Sequence, residues 1–83
     1  MIHVHESSAK IEISSHDVMI CYGALKPEEG ILPGGRASAN VSVKDNKLII
    51  EIGARDITAL RAAVNSFIRW YIAIIRCIGE VGR

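Results

Sequence analysis

The sequence has no excess of charge of either sign: its 83 residues include ten lysines and arginines against nine acidic residues, for a formal net charge of +1. Domains that bind nucleic acid or other polyanions in general usually carry a clear basic excess. The near-neutral total disfavours that class and leaves room for a local basic patch. A chain of this length forms one domain and buries only about 60–65% of the surface that it exposes when unfolded, so association with other chains would add to its stability.

The sequence also lacks a long hydrophobic run. A helix that spans a membrane needs about 18 to 20 consecutive apolar residues, and the run from Trp70 to Ile75 ends at Arg76. The N-terminus does not combine a basic region with a following apolar one, which is the pattern of a secretory signal. We therefore expect a complete cytoplasmic protein with no membrane contact.

Cysteine is scarce, and no cysteine or serine has the partners that catalysis needs. Cys21 and Cys77 lie in helical apolar patterns with no further Cys or His at ligand spacing. This predicts buried free thiols in a reducing cytosol, although a bridge between the two stays open. No Ser or Cys has a convincing histidine and carboxylate partner. The sequence therefore predicts neither a catalytic site nor a cofactor.

Two short patterns suggest a ligand site. His3 and His5 share a face if the N-terminus is extended, and with His16 they make a small metalloenzyme an alternative hypothesis. Two histidines at a spacing of two carry little specificity, so we favour a polar, partly frayed terminus and no metal. The glycine-rich segment before Arg36 precedes a strand, whereas phosphate loops follow a strand and open a helix. It predicts a flexible connection, with Arg36 within reach of a partner.

The first third of the chain predicts a strand and a short helix. Apolar and polar residues alternate from Ala9 to Ser14, which is the period of a half-buried strand, and the strand could begin as early as Ile2. Ser15 is the predicted N-cap of a helix that has Asp17 in its first turn. Pro27 ends that helix.

Two further strands are predicted to form a hairpin. Residues 38–44 alternate between polar and apolar side chains. Asp45 and Asn46 tolerate the positive φ of a tight turn. In the next strand Leu48, Ile50 and Ile52 are predicted to point toward the core, which leaves Ile49 on the exposed face.

The predicted elements follow the order β-α-β-β-α. We predict a single α+β domain over residues 1–83, in which two helices pack on one face of a three-stranded antiparallel sheet. A strand-helix-strand passage leaves the first and second strands running the same way, so the third strand, reversed by its hairpin, fits between them. The two open edges of such a sheet must be protected or used for pairing with another copy.

A long amphipathic helix, predicted from Asp56 to Val81, is the most informative feature. At about 100° per residue, one stripe of apolar side chains faces the core. Further apolar residues widen the arc to roughly 200°, whereas a surface helix typically shows little more than 100°. One small sheet can hardly cover both flanks, which predicts contacts with other chains. The stripe comprises Leu60, Val64, Phe67, Tyr71, Ile74, Ile75 and Ile78, and the flanks comprise Ile68 and Ile72 on one side and Trp70 and Cys77 on the other.

The uncovered edge of this helix is basic. Glu80 is the only acidic residue on the helix after Asp56, so no ladder of ion pairs neutralises the arginines within the helix. Arginine is favoured where carboxylate or phosphate is bound bidentately. We predict contact with a partner protein or RNA, and a solvated helix edge is the alternative. The residues of this arginine seam, spaced four, four and seven apart, are Arg61, Asn65, Arg69 and Arg76.

Several segments carry a family resemblance. They are Ala24–Glu28, Arg36, Leu48–Asp56, Leu60–Ala63 and Asn65–Trp70. In order and spacing they resemble the small subunit of the KEOPS (EKC) complex, the polarised growth chromatin-associated controller family, in its archaeal form. The resemblance covers nearly the whole chain from about Ala9, and residues 54–70 are its specific part.

The resemblance implies a non-catalytic subunit of the machinery that installs threonylcarbamoyl on the adenosine beside the anticodon of tRNAs that read ANN codons. Family members are homodimeric scaffolds, and each copy docks the threonylcarbamoyltransferase subunit, which carries the metal and nucleotide chemistry. A part in holding tRNA is implied as well, since Arg61 and Arg69 fall on arginines of the family pattern. On this interpretation both helices pack against partner chains, through Val18, Tyr22, Leu25, Ile68, Trp70, Ile72 and Ile75.

An independent nucleic-acid-binding module, acting as a transcription or chromatin factor, is the alternative from another class. The near-neutral charge disfavours it, and tight binding of a generic duplex by the isolated protein would favour it. The histidine-rich start and the two cysteines depart from the family pattern.

Overall fold

The structure of the protein, a computed structural model, describes the backbone of residues 7–81 and the side chains of residues 7–79. The predicted strand start at Ile2 and the histidines His3 and His5 therefore lie outside the described residues. Two helices cover one face of an antiparallel sheet. The elements are β1 (Ser7–Ser14), α1 (Val18–Leu25), a 3₁₀ helix (Lys26–Glu28), β2 (Gly30–Ile31), β3 (Ala37–Lys44), β4 (Lys47–Ala54) and α2 (Ile57–Val81).

The sheet has the strand order β1-β4-β3-β2. Asp45 and Asn46 connect β3 to β4 with φ values of 53° and 61°, which confirms the predicted tight hairpin, because such turns need positive φ at both central residues. β4 also pairs with β1 over its whole length, from Ala54 opposite Ser7 to Lys47 opposite Ser14. The second strand of the hairpin thus lies between β1 and β3.

The prediction of three strands was wrong, because the sheet has a fourth. Gly30 and Ile31 form β2 and pair with Ala39 and Ser38 of β3. Two residues carry no alternation that a periodicity argument could detect. Gly30 has a φ of 114°, which only glycine adopts without strain.

Two side chains close the edge of β3 beyond the short β2. The Glu29 carboxylate accepts a hydrogen bond from the Val41 N–H at 2.8 Å, and the Lys26 ammonium donates to the Val41 carbonyl at 3.1 Å. Lys26 and Glu29 also form an ion pair of 2.7 Å. The hydrogen bond from Lys26, with that from Val41, lowers the pKa of Glu29, and the hydrogen bond to Glu29 raises the pKa of Lys26. These bonds occupy backbone groups that an edge strand would otherwise expose.

The core lies between the sheet and the helices. Helix α2 packs on β4 and β1, whereas α1 packs on β3 and β4 and touches α2. The predicted stripe of the long helix is confirmed, since Leu60 and Phe67 are buried and its other members pack partly buried against the core. The Phe67 and Trp70 rings meet edge to face, with centroids 5.0 Å apart. The most completely buried large side chains are Phe67, Leu25, Leu48, Ile50, Ile52, Val41 and Cys21.

Helix α1 begins later than predicted. Asp17, not Ser15, is its N-cap residue, and Asp17 makes no side-chain capping bond. The Ser15 hydroxyl instead accepts a hydrogen bond from the Asp17 N–H at 3.1 Å. Ser15 lies two residues before the N-cap, so its hydroxyl stabilises the turn that leads into the helix rather than the first turn of the helix itself.

The burial of two residues was wrongly predicted. Ile49 points away from the helices, yet it is only 8% exposed, because it lies in the inner strand β4 between Glu12 and Ser42 on the neighbouring strands. Cys77 is exposed, whereas Cys21 is buried, and both are free. Helix α2, with 25 residues, is about 37 Å long and a strand of eight residues only about 27 Å, so the last turns of α2 have less sheet beneath them.

Candidate interaction surfaces

Helix α2 presents surfaces of different chemistry on the two sides of its core stripe. At about 100° per residue, Thr58, Ala62 and Ser66 lie on one side of the stripe, and Ile57, Ile68 and Ile72 lie on the other. The first side faces the segment that joins α1 to β3. The second side therefore faces β1, on which α2 also packs.

We call Ile57, Ile68 and Ile72 the isoleucine flank. Their side chains are 61%, 43% and 43% exposed, respectively, among the largest exposures of big apolar residues in the described chain. Ile68 and Ile72 are neighbours one helical turn apart, whereas Ile57 lies about 16 Å from Ile68 along the helix, with the exposed Arg61 between them. The predicted interface residues Ile68 and Ile72 are thus on the surface and available to a partner.

The opposite side of α2 borders an open groove of about 530 Å³, which we call the alanine groove. Small side chains line the helix wall and let another backbone approach closely. Trp70 lies at one end, and Arg36, beside the start of α2, lies at the other. Its helix wall consists of Thr58, Ala59, Ala62, Ala63, Ser66 and Trp70, and the facing wall of Pro27, Glu28, Glu29, Ile31, Leu32, Pro33, Arg36 and Ala37.

An aspartate fixes the start of α2. Asp56 Oδ1 accepts a hydrogen bond from the Ala59 N–H at 2.8 Å, which confirms the predicted cap. Its other oxygen, Oδ2, accepts from Arg36 Nη2 at 3.0 Å. Arg36, predicted as a partner contact, therefore has its guanidinium paired within the chain. Its side chain is nevertheless 64% exposed and forms part of the groove rim.

The arginine seam lies on the solvent side of α2, between the isoleucine flank and the alanine groove. All four of its residues are exposed. Arg69 Nη2 donates to Ser66 Oγ at 3.3 Å, and no acidic side chain among residues 7–79 forms an ion pair with Arg61 or Arg69. From Arg61 to Arg76 the seam is about 22 Å long. These positive charges are thus presented to solvent along about three-fifths of the helix.

Helix α1 corrects part of the predicted interface. Val18 and Leu25 are only 4% and 1% exposed and belong to the core of this chain, so they do not offer a docking surface. Met19 and Ile20, which were not among the predicted interface residues, are 62% and 56% exposed. Because α1 is apolar on all sides, its sequence pattern does not show which face meets the sheet.

The remaining predicted interface residues are partly buried. Tyr22 packs against the core, with the Lys26 ammonium 5.7 Å from the centre of its ring. Trp70 and Ile75 also pack on the core and keep part of their surface exposed. Each of these three side chains therefore leaves part of its surface open to a partner.

The described residues bear on the sequence-based expectations about a metal site. Residues 7–79 contain no cluster of three His, Cys, Asp or Glu side chains that could hold a metal ion. His16, the one histidine of the three within this range, is exposed. None of the helices in the described part of the chain has the length and apolar character that crossing a membrane requires.

The chain matches known proteins over nearly its whole length. The family model described as Transcription factor Pcc1 matches residues 6–79. The KEOPS complex subunit Pcc1 of Pyrococcus abyssi (strain GE5 / Orsay) is 33% identical over 61 residues, which cover 72% of this chain and 74% of that protein. A chain in the crystal structure of the binary complex Gon7-Pcc1 shares the fold, with a TM-score of 0.80 and 18% identity over 94% of this chain and 99% of that one. The resemblance seen in the sequence is confirmed, and the chain belongs to the Pcc1 family.

Proposed function

We propose that this protein is a non-catalytic scaffold subunit of a KEOPS complex, that it forms a homodimer, and that each copy docks the threonylcarbamoyltransferase subunit. The relative from Pyrococcus abyssi is named as a subunit of that complex. The observation that carries the proposal is the amount of apolar surface left exposed on both helices of so small a domain, at Met19, Ile20, Ile57, Ile68 and Ile72. Exposed strips of this kind mark protein interaction sites.

The helix layer offers two separate docking regions to two partners. The isoleucine flank lies on the β1 side of α2, and the alanine groove lies on the other side, toward β2 and β3. A partner on one region does not cover the other, so a sister copy and a transferase subunit can be bound at the same time. A scaffold that holds two chains at once requires this geometry. Small side chains such as Ala62 would let a helix of the transferase approach α2 closely.

The arginine seam is proposed to contact tRNA in the assembled complex. Its arginines lie between the two docking regions, where partner chains would leave them at the rim. Arginine binds phosphate oxygens through a planar fork of donors. With a net charge of +1, the chain supports such binding locally rather than as a general polyanion binder.

The docking proposal is tested by purifying the protein from its native source and identifying its companions by mass spectrometry. We expect the transferase subunit in stoichiometric amount. In a second step, Met19→Asp with Ile20→Asp, and separately Ala62→Glu, are compared with the wild type for binding of the purified transferase. If neither variant weakens binding while both remain folded, the transferase docks neither on α1 nor in the alanine groove.

The proposed contact between the arginine seam and tRNA is tested by measuring tRNA binding by the assembled complex that carries both Arg61→Gln and Arg69→Gln. Loss of two phosphate contacts lowers tRNA affinity and reduces the slope of log affinity against log salt by about 1 to 2. The matched control removes two exposed charges elsewhere, at Lys44 and Lys47 in the β3-β4 hairpin. An unchanged slope in the arginine variant would refute the role of the seam. Tight binding of generic duplex DNA by the isolated chain at physiological salt would instead support the transcription-factor alternative.

A further inference from the structure

The two edges of the sheet are covered to different extents. No strand within the described residues pairs with the outer side of β1. The opposite edge belongs to β3, and the two residues of β2 pair only with Ala39 and Ser38 of that strand. Residues 40–44 of β3 therefore extend beyond β2. A stretch of about five residues has the usual length of a strand in a globular protein, so it is long enough to pair with another strand.

The backbone groups of this stretch that face the edge belong to odd-numbered residues. Along an antiparallel strand these groups alternate between the two sides. Val41 uses its N–H and C=O on side chains outside the sheet. The Ala37 carbonyl likewise accepts a hydrogen bond from the Leu32 N–H, at 2.9 Å. Within residues 40–44, the edge groups are therefore those of Val41 and Val43.

Lys26 and Glu29 bind Val41 as the backbone of a neighbouring strand would. The Glu29 carboxylate accepts from the Val41 N–H at 2.8 Å, and the Lys26 ammonium donates to the Val41 carbonyl at 3.1 Å. Glu29 uses Oε2 for Val41 and Oε1 for Lys26, which lies 2.7 Å away. We call Lys26 and Glu29 the edge clamp. Together they occupy both backbone groups that Val41 would otherwise offer to an incoming strand.

The local backbone holds the edge clamp in place. Lys26 begins the 3₁₀ helix that follows α1, and Glu29 comes directly after that helix. The Glu29 N–H donates to the Lys26 carbonyl at 3.0 Å, which fixes the two residues relative to each other. The Lys26 ammonium also lies 5.7 Å from the centre of the Tyr22 ring, within the range of a cation–π contact. Both clamp side chains are partly exposed, so their truncation leaves the core packing intact.

The sequence of β3 itself gives this edge little protection. Exposed edges are commonly protected by proline, by charged side chains or by bulges. β3 contains no proline, and its only charged residue is Lys44, at its end. Val41 and Val43 are β-branched, which favours strand pairing. The protection of residues 40–44 therefore depends on the edge clamp.

The number of open edges decides which assemblies strand pairing produces. A chain with one open edge pairs with one other copy and stops, because the pairing uses the open edge of each. A chain with two open edges still has one to offer after each pairing, so its assembly continues without closing. Among the described strands, β1 has an open edge, and the edge clamp closes the edge of β3.

The geometry points to a latent second pairing edge at residues 40–44 of β3, which Lys26 and Glu29 keep closed so that assembly through strands ends at a finite size. The occupant of the opened edge is a strand edge of another copy of this chain. A finite assembly keeps the number of docking regions on a scaffold subunit fixed. The inference does not depend on whether the transferase subunit docks on the helices.

Removal of the clamp, by Lys26→Ala with Glu29→Ala, tests this inference. Sedimentation velocity over a series of concentrations should show a limiting mass for the wild type. The clamp variant should exceed that mass at least about twofold and continue to grow with concentration, because each added copy offers a further edge. The matched control, Glu28→Ala with Lys47→Ala, removes one acidic and one basic side chain at exposed positions outside the clamp and should behave as the wild type.

A proline on the other edge separates strand pairing from general aggregation. Odd-numbered residues of β1 bond to β4, so the N–H of Lys10 faces away from the sheet. Lys10→Pro therefore blocks the open edge and leaves the strand ladder intact. Added to the clamp variant, it should return the assembly to a finite size, since only the β3 edge is then open. Circular dichroism and thermal unfolding verify that each variant is folded.

Hydrogen exchange of the Val41 amide tests the clamp in the wild type, without any substitution. The amide should be protected in the wild type and should exchange at least about tenfold faster in the clamp variant at concentrations too low for assembly. Exchange in the wild type as fast as at exposed amides would overturn the inference.

Two assembly results would also overturn the inference. The first is a folded clamp variant that stops at the same mass as the wild type. The second is growth that persists after Lys10→Pro is added, because it would assign the contact between copies to another surface. A clamp variant that behaves as expected, in a chain that binds no transferase subunit, would refute the proposed function and support this inference.

Discussion

Replacing Ile68 and Ile72 with glutamate should break assembly without unfolding the monomer. Full burial of an isoleucine side chain is worth about 1.5–3 kcal/mol, and each of these residues keeps 43% of its surface exposed in the single chain. Folding of the single chain therefore gains about half of this burial free energy, roughly 1 kcal/mol for each of the two residues. The double variant should lose about 2 kcal/mol, less than the 5–15 kcal/mol that keeps a typical domain folded.

The remaining half of the burial is available to the dimer. Two isoleucines in each of two copies give four side chains, each with about 1 kcal/mol still to gain, or about 4 kcal/mol in total. This amount corresponds to a dissociation constant roughly a thousandfold higher in the double variant. Burying the new carboxylates without partners would weaken the dimer further.

Two measurements on each variant separate the effects: urea unfolding followed by circular dichroism, and sedimentation equilibrium for the dimer. Ala73→Glu, on an exposed part of the same helix away from the isoleucine flank, is the matched control and should leave the dimer intact. Phe67→Ala, at a fully buried position, should cost about 3–5 kcal/mol of monomer stability and serves as the reference for core damage. If the glutamate variant unfolds as Phe67→Ala does, Ile68 and Ile72 belong to the core. If it is folded and dimerises like the wild type, the flank is not the dimer surface.

Three further predictions concern the single chain. Asp56→Ala should lower stability by about 1–2 kcal/mol through loss of the cap on α2, whereas Asp56→Asn, which keeps a capping oxygen, should cost less; equal losses in thermal unfolding would show that the charge toward Arg36 matters more than the cap. The pKa of Glu29 is lowered and that of Lys26 is raised in the folded chain. The ion pair of these two residues therefore contributes fully to the free energy of unfolding between the ordinary pKa values of the two groups. This contribution is lost as the pH falls through the folded pKa of Glu29 or rises through that of Lys26. Glu29→Gln should therefore flatten the acid side of the stability profile, and an unchanged acid limb would contradict this. Burial, and to a lesser extent Asp17, raises the pKa of the Cys21 thiol, so a thiol reagent at neutral pH should label exposed Cys77 much faster; equal rates would contradict the assigned burial.

Sequence patterns were sufficient to predict the features that depend on the conformational preference of a single residue or on the spacing within one helix. Asp45 and Asn46 adopt the positive φ that their short polar side chains tolerate, and Asp56 caps the helix that follows it. The stripe that contains Leu60 and Phe67 faces the core, because apolar residues spaced three and four apart all lie on one face of a helix and that face is buried. These features depend on residues close in sequence, and they were predicted.

The errors arose where neighbours distant in sequence decide the outcome. β2 exists because the backbone of β3 pairs with Gly30 and Ile31. Two residues are too few to show an alternating pattern in the sequence. Ile49 is shielded by Glu12 and Ser42, which reach it only through the pairing of the strands. The exposed residues of α1 were missed for a related reason, since a helix that is apolar on all sides does not reveal which face meets the sheet.

The sequence by itself determined the family, the two helices, the hairpin and the presence of more apolar helix surface than the domain needs. Each of these features depends on the spacing and the motifs of residues that are close together in the sequence. Only the tertiary structure decided that Val18 and Leu25 belong to the core while Met19 and Ile20 face outward. It also placed the isoleucine flank on the β1 side of α2, because α2 packs mainly over β4 and β1 and less over β3. Which surfaces remain free for partners depends on how the helices dock on the sheet, and that docking joins residues far apart in the chain.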